Sequence, residues 1–115
     1  MTNAPIDTTV ITELEESIGS DFMVELVDTF LDEAPTMLAE LSAGFDARDM
    51  DQFRRAAHSI KSNADVFGAH DLAELARQLE LSGPQGDPEE LGAGLDKLNA
   101  AYAEAAAALK AFAHG

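Results

Sequence analysis

The sequence predicts an all-α protein, an antiparallel four-helix bundle with a short additional helix at its N-terminus. Three observations lead there. Apolar residues return every three or four positions through four long segments, the period of an amphipathic helix. No segment alternates apolar and polar residues over the length of a strand. The breaks between segments are short and carry glycine, proline or a capping residue, and helices joined by short turns pack as antiparallel neighbours. The 115 residues form a single domain with its core over about 8–113, and a domain of this size buries roughly two-thirds of the surface its unfolded chain exposes.

Met1 to Pro5 is short and polar, and is expected to be loose. Asp7 or Thr9 can cap a first helix carrying Val10, Ile11, Leu14 and Ile18, and Gly19 is placed to stop it. This helix is expected to lid one end of the bundle. Ser20 and Asp21 offer caps for a long second helix. Phe22, Leu26, Phe30, Leu38, Leu41 and Phe45 form its apolar stripe, with Met23, Val27, Leu31 and Met37 beside them. Pro35 falls inside it, where the lost hydrogen bond and the crowded preceding turn predict a kink or a break.

Gly44 to Asp49 reads as a turn, and Asp49 with Gln52 has the spacing of a capping box for a third helix. That helix runs through His58 to about Phe67, where Gly68 can end it in the left-handed conformation. The fourth helix places Leu72, Leu75, Ala76 and Leu79 on one face, with Arg77 and Glu80 elsewhere. Ser82-Gly83-Pro84-Gln85-Gly86 is the clearest loop in the chain. Asp87 then supplies a cap, Pro88 a first-turn proline, and Glu89 and Glu90 early negative charge. Leu91, Leu95, Leu98, Tyr102, Leu109 and Phe112 carry the last helix. Its many alanines permit close approach, while Gly92 and Gly94 weaken its first turns.

Composition narrows the function. With 22 acidic and 7 basic residues the formal charge is −15, which argues against nucleic-acid and anionic-membrane binding, since both reward cations spread over a face. An acidic bundle can mimic DNA, but the commoner reading of such charge is the solvated faces of helices. The absence of cysteine excludes disulfides, thiolate nucleophiles and cysteine zinc sites. No basic region followed by an apolar run marks a secretory signal. No segment approaches the ~20 apolar residues of a membrane helix, so a cytoplasmic protein is expected. No Gly-rich loop followed by Lys-Ser or Lys-Thr offers an ATP site. A di-iron bundle needs Glu-x-x-His on two helices, and Arg55, Phe67 and Ala111 stand three residues before the three histidines. No metal site is expected.

One stretch can carry chemistry. With Phe53 at zero on a helical wheel, Ala57, Ile60, Ala64 and Phe67 fall within roughly 40° of it and His58 about 140° away, on the solvent side. Arg54, Lys61 and Ser62 are its neighbours at three- and four-residue spacing, and Asp65 shares its face. A surface histidine is most often a solvated residue without a role. Here, however, Arg48, Arg54, Arg55 and Lys61, four of the seven cations, fall in one short window around it. A local positive field suits an imidazole that accepts and passes on an anionic group such as phosphoryl. His70 reads as a surface or capping residue near a helix start, and His114 as part of a frayed end.

His58-Ser59-Ile60-Lys61-Ser62, followed by Ala64, Gly68 and Ala69, resembles the phosphoacceptor signature of histidine phosphotransfer (HPt) domains, His-x-Leu-Lys-Gly followed by small residues and a glycine. The resemblance extends from about Phe22 to Leu81 and more weakly into the last helix. Ile60 replaces leucine and Ser62 replaces glycine. Serine is still small one turn beyond His58, so altered partner fit is expected rather than lost function.

The resemblance implies a four-helix bundle that relays phosphoryl between His58 and aspartates of response-regulator receiver domains, upstream of which stands a sensor or hybrid histidine kinase. It implies a phosphocarrier rather than an enzyme with its own ATP site. Neutral imidazole, with an ordinary pKa of about 6.5, is a nucleophile near neutral pH. Lys61 would neutralise phosphoryl oxygens, Arg54 and Arg55 would favour an acidic receiver pocket, and Ser62 could add a hydrogen bond. Asp65 could orient the imidazole, although a carboxylate beside a phosphorylated histidine repels it, which favours a solvated role. Magnesium would come with the receiver, so no cofactor is expected on this chain.

The alternative is a non-catalytic helical interaction module. A third reading, the dimerisation domain of a sensor kinase, fits less well, because such domains usually place an acid after the histidine and Ser59 follows His58 here. Four helices in one chain favour a monomer, and a start at Met1 favours a free-standing protein.

Overall fold

The computed structural model describes residues 4–83 and 85–115. Met1 to Asn3, in the segment expected to be loose, and Pro84, in the expected loop, lie outside the described residues. Five helices follow one another among the described residues: α1 (Thr8–Ile18), α2 (Ser20–Ala47), α3 (Met50–Val66), α4 (His70–Ser82) and α5 (Pro88–His114). No strand occurs among the described residues. Helices α2 to α5 form the bundle, and α3 packs against both α2 and α4.

Three helices begin as the sequence indicates. Asp7 accepts from the Thr9 amide at 2.9 Å, Asp49 from Gln52 at 3.1 Å and Asp87 from Glu89 at 3.1 Å, each satisfying an amide that the first turn leaves without a helical partner. The capping box is only half made. The Gln52 side chain donates instead to the Glu40 carbonyl of α2 at 3.1 Å, tying the two helices together. Ser20 and Asp21 do not cap α2. Gly19 holds that position at φ 89° with no side-chain bond, because a single residue joins α1 to α2 and leaves no room for a separate cap.

Gly44 is a further correction. It lies inside α2, fully packed, and a Cβ there would stand 2.8 Å from the Phe53 backbone nitrogen. Its role is close approach of α2 to α3. The chain turns later, at Arg48, which takes the left-handed conformation at φ 56°, with its guanidinium 5.4 Å from the centre of the Phe45 ring. Pro35 does not break the helix; α2 runs through it, since burial of the faces on both sides outweighs one lost hydrogen bond.

The core gathers Ile11, Val27, Leu41, Phe53, Ile60, Phe67, Leu72, Leu98 and Leu109, all at or near zero exposure. Each large side chain so buried contributes roughly 2 kcal/mol. Phe30 of α2 meets Phe67 at 5.3 Å and Tyr102 of α5 at 6.0 Å between ring centres, so one aromatic cluster joins three segments. Phe22 is 54% exposed and Phe112 37%. The α2 stripe is therefore centred on Met23, Val27, Phe30, Ala34 and Leu41 rather than on Phe22. His114 is no frayed end: α5 continues to it, and its Nε2 bonds Asp28 of α2 at 2.7 Å.

The corner after α3 fixes α1. Gly68 has φ +68°, and a Cβ on it would meet the Val10 Cβ at 2.9 Å. Asp7 donates its amide to the Gly68 carbonyl at 2.9 Å, and its carboxylate bonds His70 Nε2 at 3.1 Å. The His70 bond, then the Thr9 amide, holds the Asp7 carboxyl below the usual aspartate range. A carboxyl whose pKa is lower folded than unfolded stabilises the fold above its unfolded pKa and loses that contribution as pH falls. Amide-exchange protection of α1 should accordingly drop as pH falls from about 5 to 3. Asp7→Asn keeps a capping side chain and should flatten this dependence, measured by hydrogen exchange.

Candidate functional site

The α3 wheel turns its apolar face inward: Phe53, Ala57, Ile60 and Ala64 are buried. His58 consequently points out of the bundle, its side chain 57% exposed. The ring is not free. Its Nδ1 lies 3.0 Å from Glu80 Oε2 of α4. An ionised carboxylate only accepts hydrogen bonds, so this contact places the proton on Nδ1 and leaves the Nε2 lone pair for an incoming group. The other Glu80 oxygen, Oε1, lies 3.3 Å from Lys61 Nζ. One carboxylate thereby holds both the imidazole and the ammonium group three residues on.

The surrounding residues divide. Arg54 reaches across to the C-terminal end of α4, where a Cβ on Gly83 would lie 3.5 Å from its Nη2. A cation there meets the partial negative charge of a helix C-terminus. Arg55 turns the other way. Its Nε donates to the Asp51 carbonyl at 3.3 Å, and it lines a groove toward α2 with Glu40, Gln52 and Ser59. Ser62 is exposed one turn beyond His58. Asp65 lies in a polar groove between α3 and α4 that also takes in Lys61, His70 and Arg77; the carboxylate that meets the imidazole is Glu80. Gly68 sits at the far end of α3, where its positive φ serves the α1 corner.

Glu80 is the residue that a reading of helix faces passes over. It lies off the α4 stripe, 22 residues from His58. The signal was available in the hairpin: His58 stands ten residues before Gly68 and Glu80 twelve after it, so antiparallel pairing about that turn brings them level.

No group of three or more His, Asp or Glu side chains suited to a metal ion occurs among the described residues. No described helix is long and apolar enough to cross a membrane.

The sequence model of the Hpt domain matches residues 25–112. The chain belongs to the Hpt domain family. Its activity is histidine phosphotransfer in a phosphorelay, between histidine kinases and response regulators. Among curated proteins, the phosphorelay protein LuxU of Vibrio harveyi is 30% identical over 82 residues, covering 71% of this chain and 72% of its own length. LuxU of Vibrio vulnificus is 28% identical over 93 residues, 77% of this chain and 81% of its own. The sensor protein TorS of Escherichia coli is 29% identical over 82 residues, which are 69% of this chain but 9% of TorS. The chain thus spans most of LuxU and a small part of the sensor protein. No solved structure gives a significant match. Helix α1 and the first turn of α2 precede the matched Hpt segment.

Proposed function

We propose that His58 is the phosphoacceptor of this Hpt domain and exchanges phosphoryl with aspartates of receiver domains. One observation carries the assignment: of the three histidines, His58 alone combines solvent exposure, an Nε2 left open by the Glu80 contact on Nδ1, and a neighbouring ammonium group. His70 and His114 both engage a carboxylate through Nε2.

In the forward step His58 Nε2 attacks the phosphorus of a receiver's aspartyl phosphate. The P–N bond forms as the P–O bond to the aspartate breaks, and that electron pair returns to the carboxylate. Such transfers depend mainly on positioning and charge neutralisation. Lys61, already turned toward the site, meets the phosphoryl oxygens, and Arg54 adds positive potential toward an acidic receiver pocket. Ser62 and Asp65 lie on the docking side; Arg55, turned toward α2, acts at the rim. Magnesium belongs to the receiver. The chain then acts as a carrier without an ATP site, as a monomer and in the cytoplasm, between a sensor or hybrid kinase and its receivers.

The test is transfer from receiver domains pre-charged with acetyl phosphate. The parent should become labelled. Lys61→Ala should be labelled about a hundredfold more slowly, the low end of what removing one stabilising group at a developing charge costs. Receiver binding without labelling of the parent would favour a pure interaction module instead.

A further inference from the structure

We propose that Glu80 is the counter-ion of the phosphorylated ring, keeping a proton on Nδ1 of His58 throughout the transfer cycle and so keeping the phosphoryl group readily transferable. This rests on His58 being the phosphoacceptor.

The argument starts from atom balance. When Nε2 of a neutral imidazole bonds phosphorus, the ring becomes an imidazolium bearing phosphoryl on Nε2 and hydrogen on Nδ1. When the P–N bond breaks toward an acceptor, its electron pair returns to Nε2 and a neutral imidazole leaves with Nδ1 still protonated. If the Nδ1 proton is first lost to solvent, the group that must leave is an imidazolate anion, a far poorer leaving group. The transfer potential of the phosphorylated ring therefore depends on retaining one proton at Nδ1. The structure places a carboxylate oxygen 3.0 Å from that atom, and an anion in hydrogen-bond contact favours the protonated, cationic ring.

The rest of the environment does not supply this. The groove between α3 and α4 carries Lys61, Asp65, His70, Asp71, Glu74 and Arg77, the groove toward α2 carries Arg55 and Glu40, and Arg54 lies at the C-terminal end of α4. Cations disfavour an imidazolium, and Arg77 is engaged by Glu74 at 2.6 Å. Glu80 is the group that hydrogen-bonds the ring. It also holds Lys61, so an arriving phosphoryl competes with Glu80 for that ammonium group while the imidazole keeps its carboxylate. Glu80 side-chain exposure is 25%, low enough that solvent screens the contact only in part.

Glu80→Gln separates charge from position, because the amide oxygen can still accept from Nδ1. Parent and variant are loaded directly with potassium phosphoramidate, which needs no protein partner, and the site is mapped by mass spectrometry. Decay of phosphohistidine to water is then followed from pH 6 to 9. The parent should keep its fast decay to more alkaline pH, and Glu80→Gln should decay about fivefold more slowly near pH 8, the low end expected for one partly exposed opposite charge. In the phosphorylated parent, a ¹⁵N-coupled Nδ1 proton should persist at a pH where the variant has lost it. Superimposable decay profiles, or an Nδ1 proton lost at the same pH in both, overturn the proposal while leaving His58 as acceptor. Phosphoryl on His70 or His114 with none on His58 overturns the acceptor assignment as well.

Discussion

His58→Gln should reduce phosphoryl acceptance from charged receivers to the level of an unlabelled control while leaving the bundle intact. Glutamine has no nucleophilic nitrogen, so the P–N bond cannot form, yet its side chain can still reach Glu80. The fold should be indifferent because His58 is 57% exposed and contributes nothing to the core; surface changes of this kind usually stay within about 0.5 kcal/mol. Thermal unfolding alongside the labelling assay separates lost chemistry from lost structure. Residual labelling of His58→Gln at the parent's rate would place the acceptor elsewhere.

The second large effect concerns stability. Gly44→Val should destabilise the protein by about 3 kcal/mol, because a Cβ at this position would sit 2.8 Å from a backbone nitrogen of α3 and cannot be accommodated by rotating a side chain. In a chain of this length that corresponds to a fall in Tm of roughly 10–15 °C. Gly92→Ala makes the contrast. Nothing lies within 4 Å of a Cβ there, and replacing a helix-interior glycine by alanine should gain roughly 0.5–1 kcal/mol. Opposite signs for the two would show that α2–α3 contact, rather than glycine as such, sets the response. Because α3 carries His58, a forced separation at Gly44 should also disturb phosphoryl acceptance at temperatures where the fold persists.

What the sequence made legible follows from the reach of each signal. The caps at Asp7, Asp49 and Asp87 and the left-handed Gly68 are local, determined within a few residues, and are found where they were expected. The helical period of α3 likewise places His58 outside and Phe53, Ile60 and Ala64 inside. Gly44 misleads because glycine has two uses, conformational freedom at turns and close approach inside helices, and local sequence does not distinguish them. Pro35 marks a local cost, but that α2 stays continuous through it depends on burial against partners elsewhere in the chain. Phe22 is exposed because α2 rotates to bury Met23, Val27 and Phe30, and an apolar stripe wider than the buried face leaves that choice to packing.

The site divides in the same way. His58 and Lys61 share a helix, so their spacing is enough to pair them. Glu80 is brought in by the α3–α4 hairpin, and Asp28 reaches His114 across 86 residues. The hairpin contact could be counted from its turn; the second depends on the whole bundle. Arg55 shows the limit of a charge cluster read along the chain, since one residue's rotation on the helix carries it toward α2 and away from Arg54.

The most direct test of the account is to locate the phosphoryl group itself. The parent chain would be incubated with charged receiver domains, digested under alkaline conditions and mapped by tandem mass spectrometry. The account predicts one acid-labile, alkali-stable phosphoryl group on His58, returning to receiver aspartate when uncharged receiver is added. Phosphoryl on any other residue, or firm receiver binding with no phosphoryl on the chain, would contradict it.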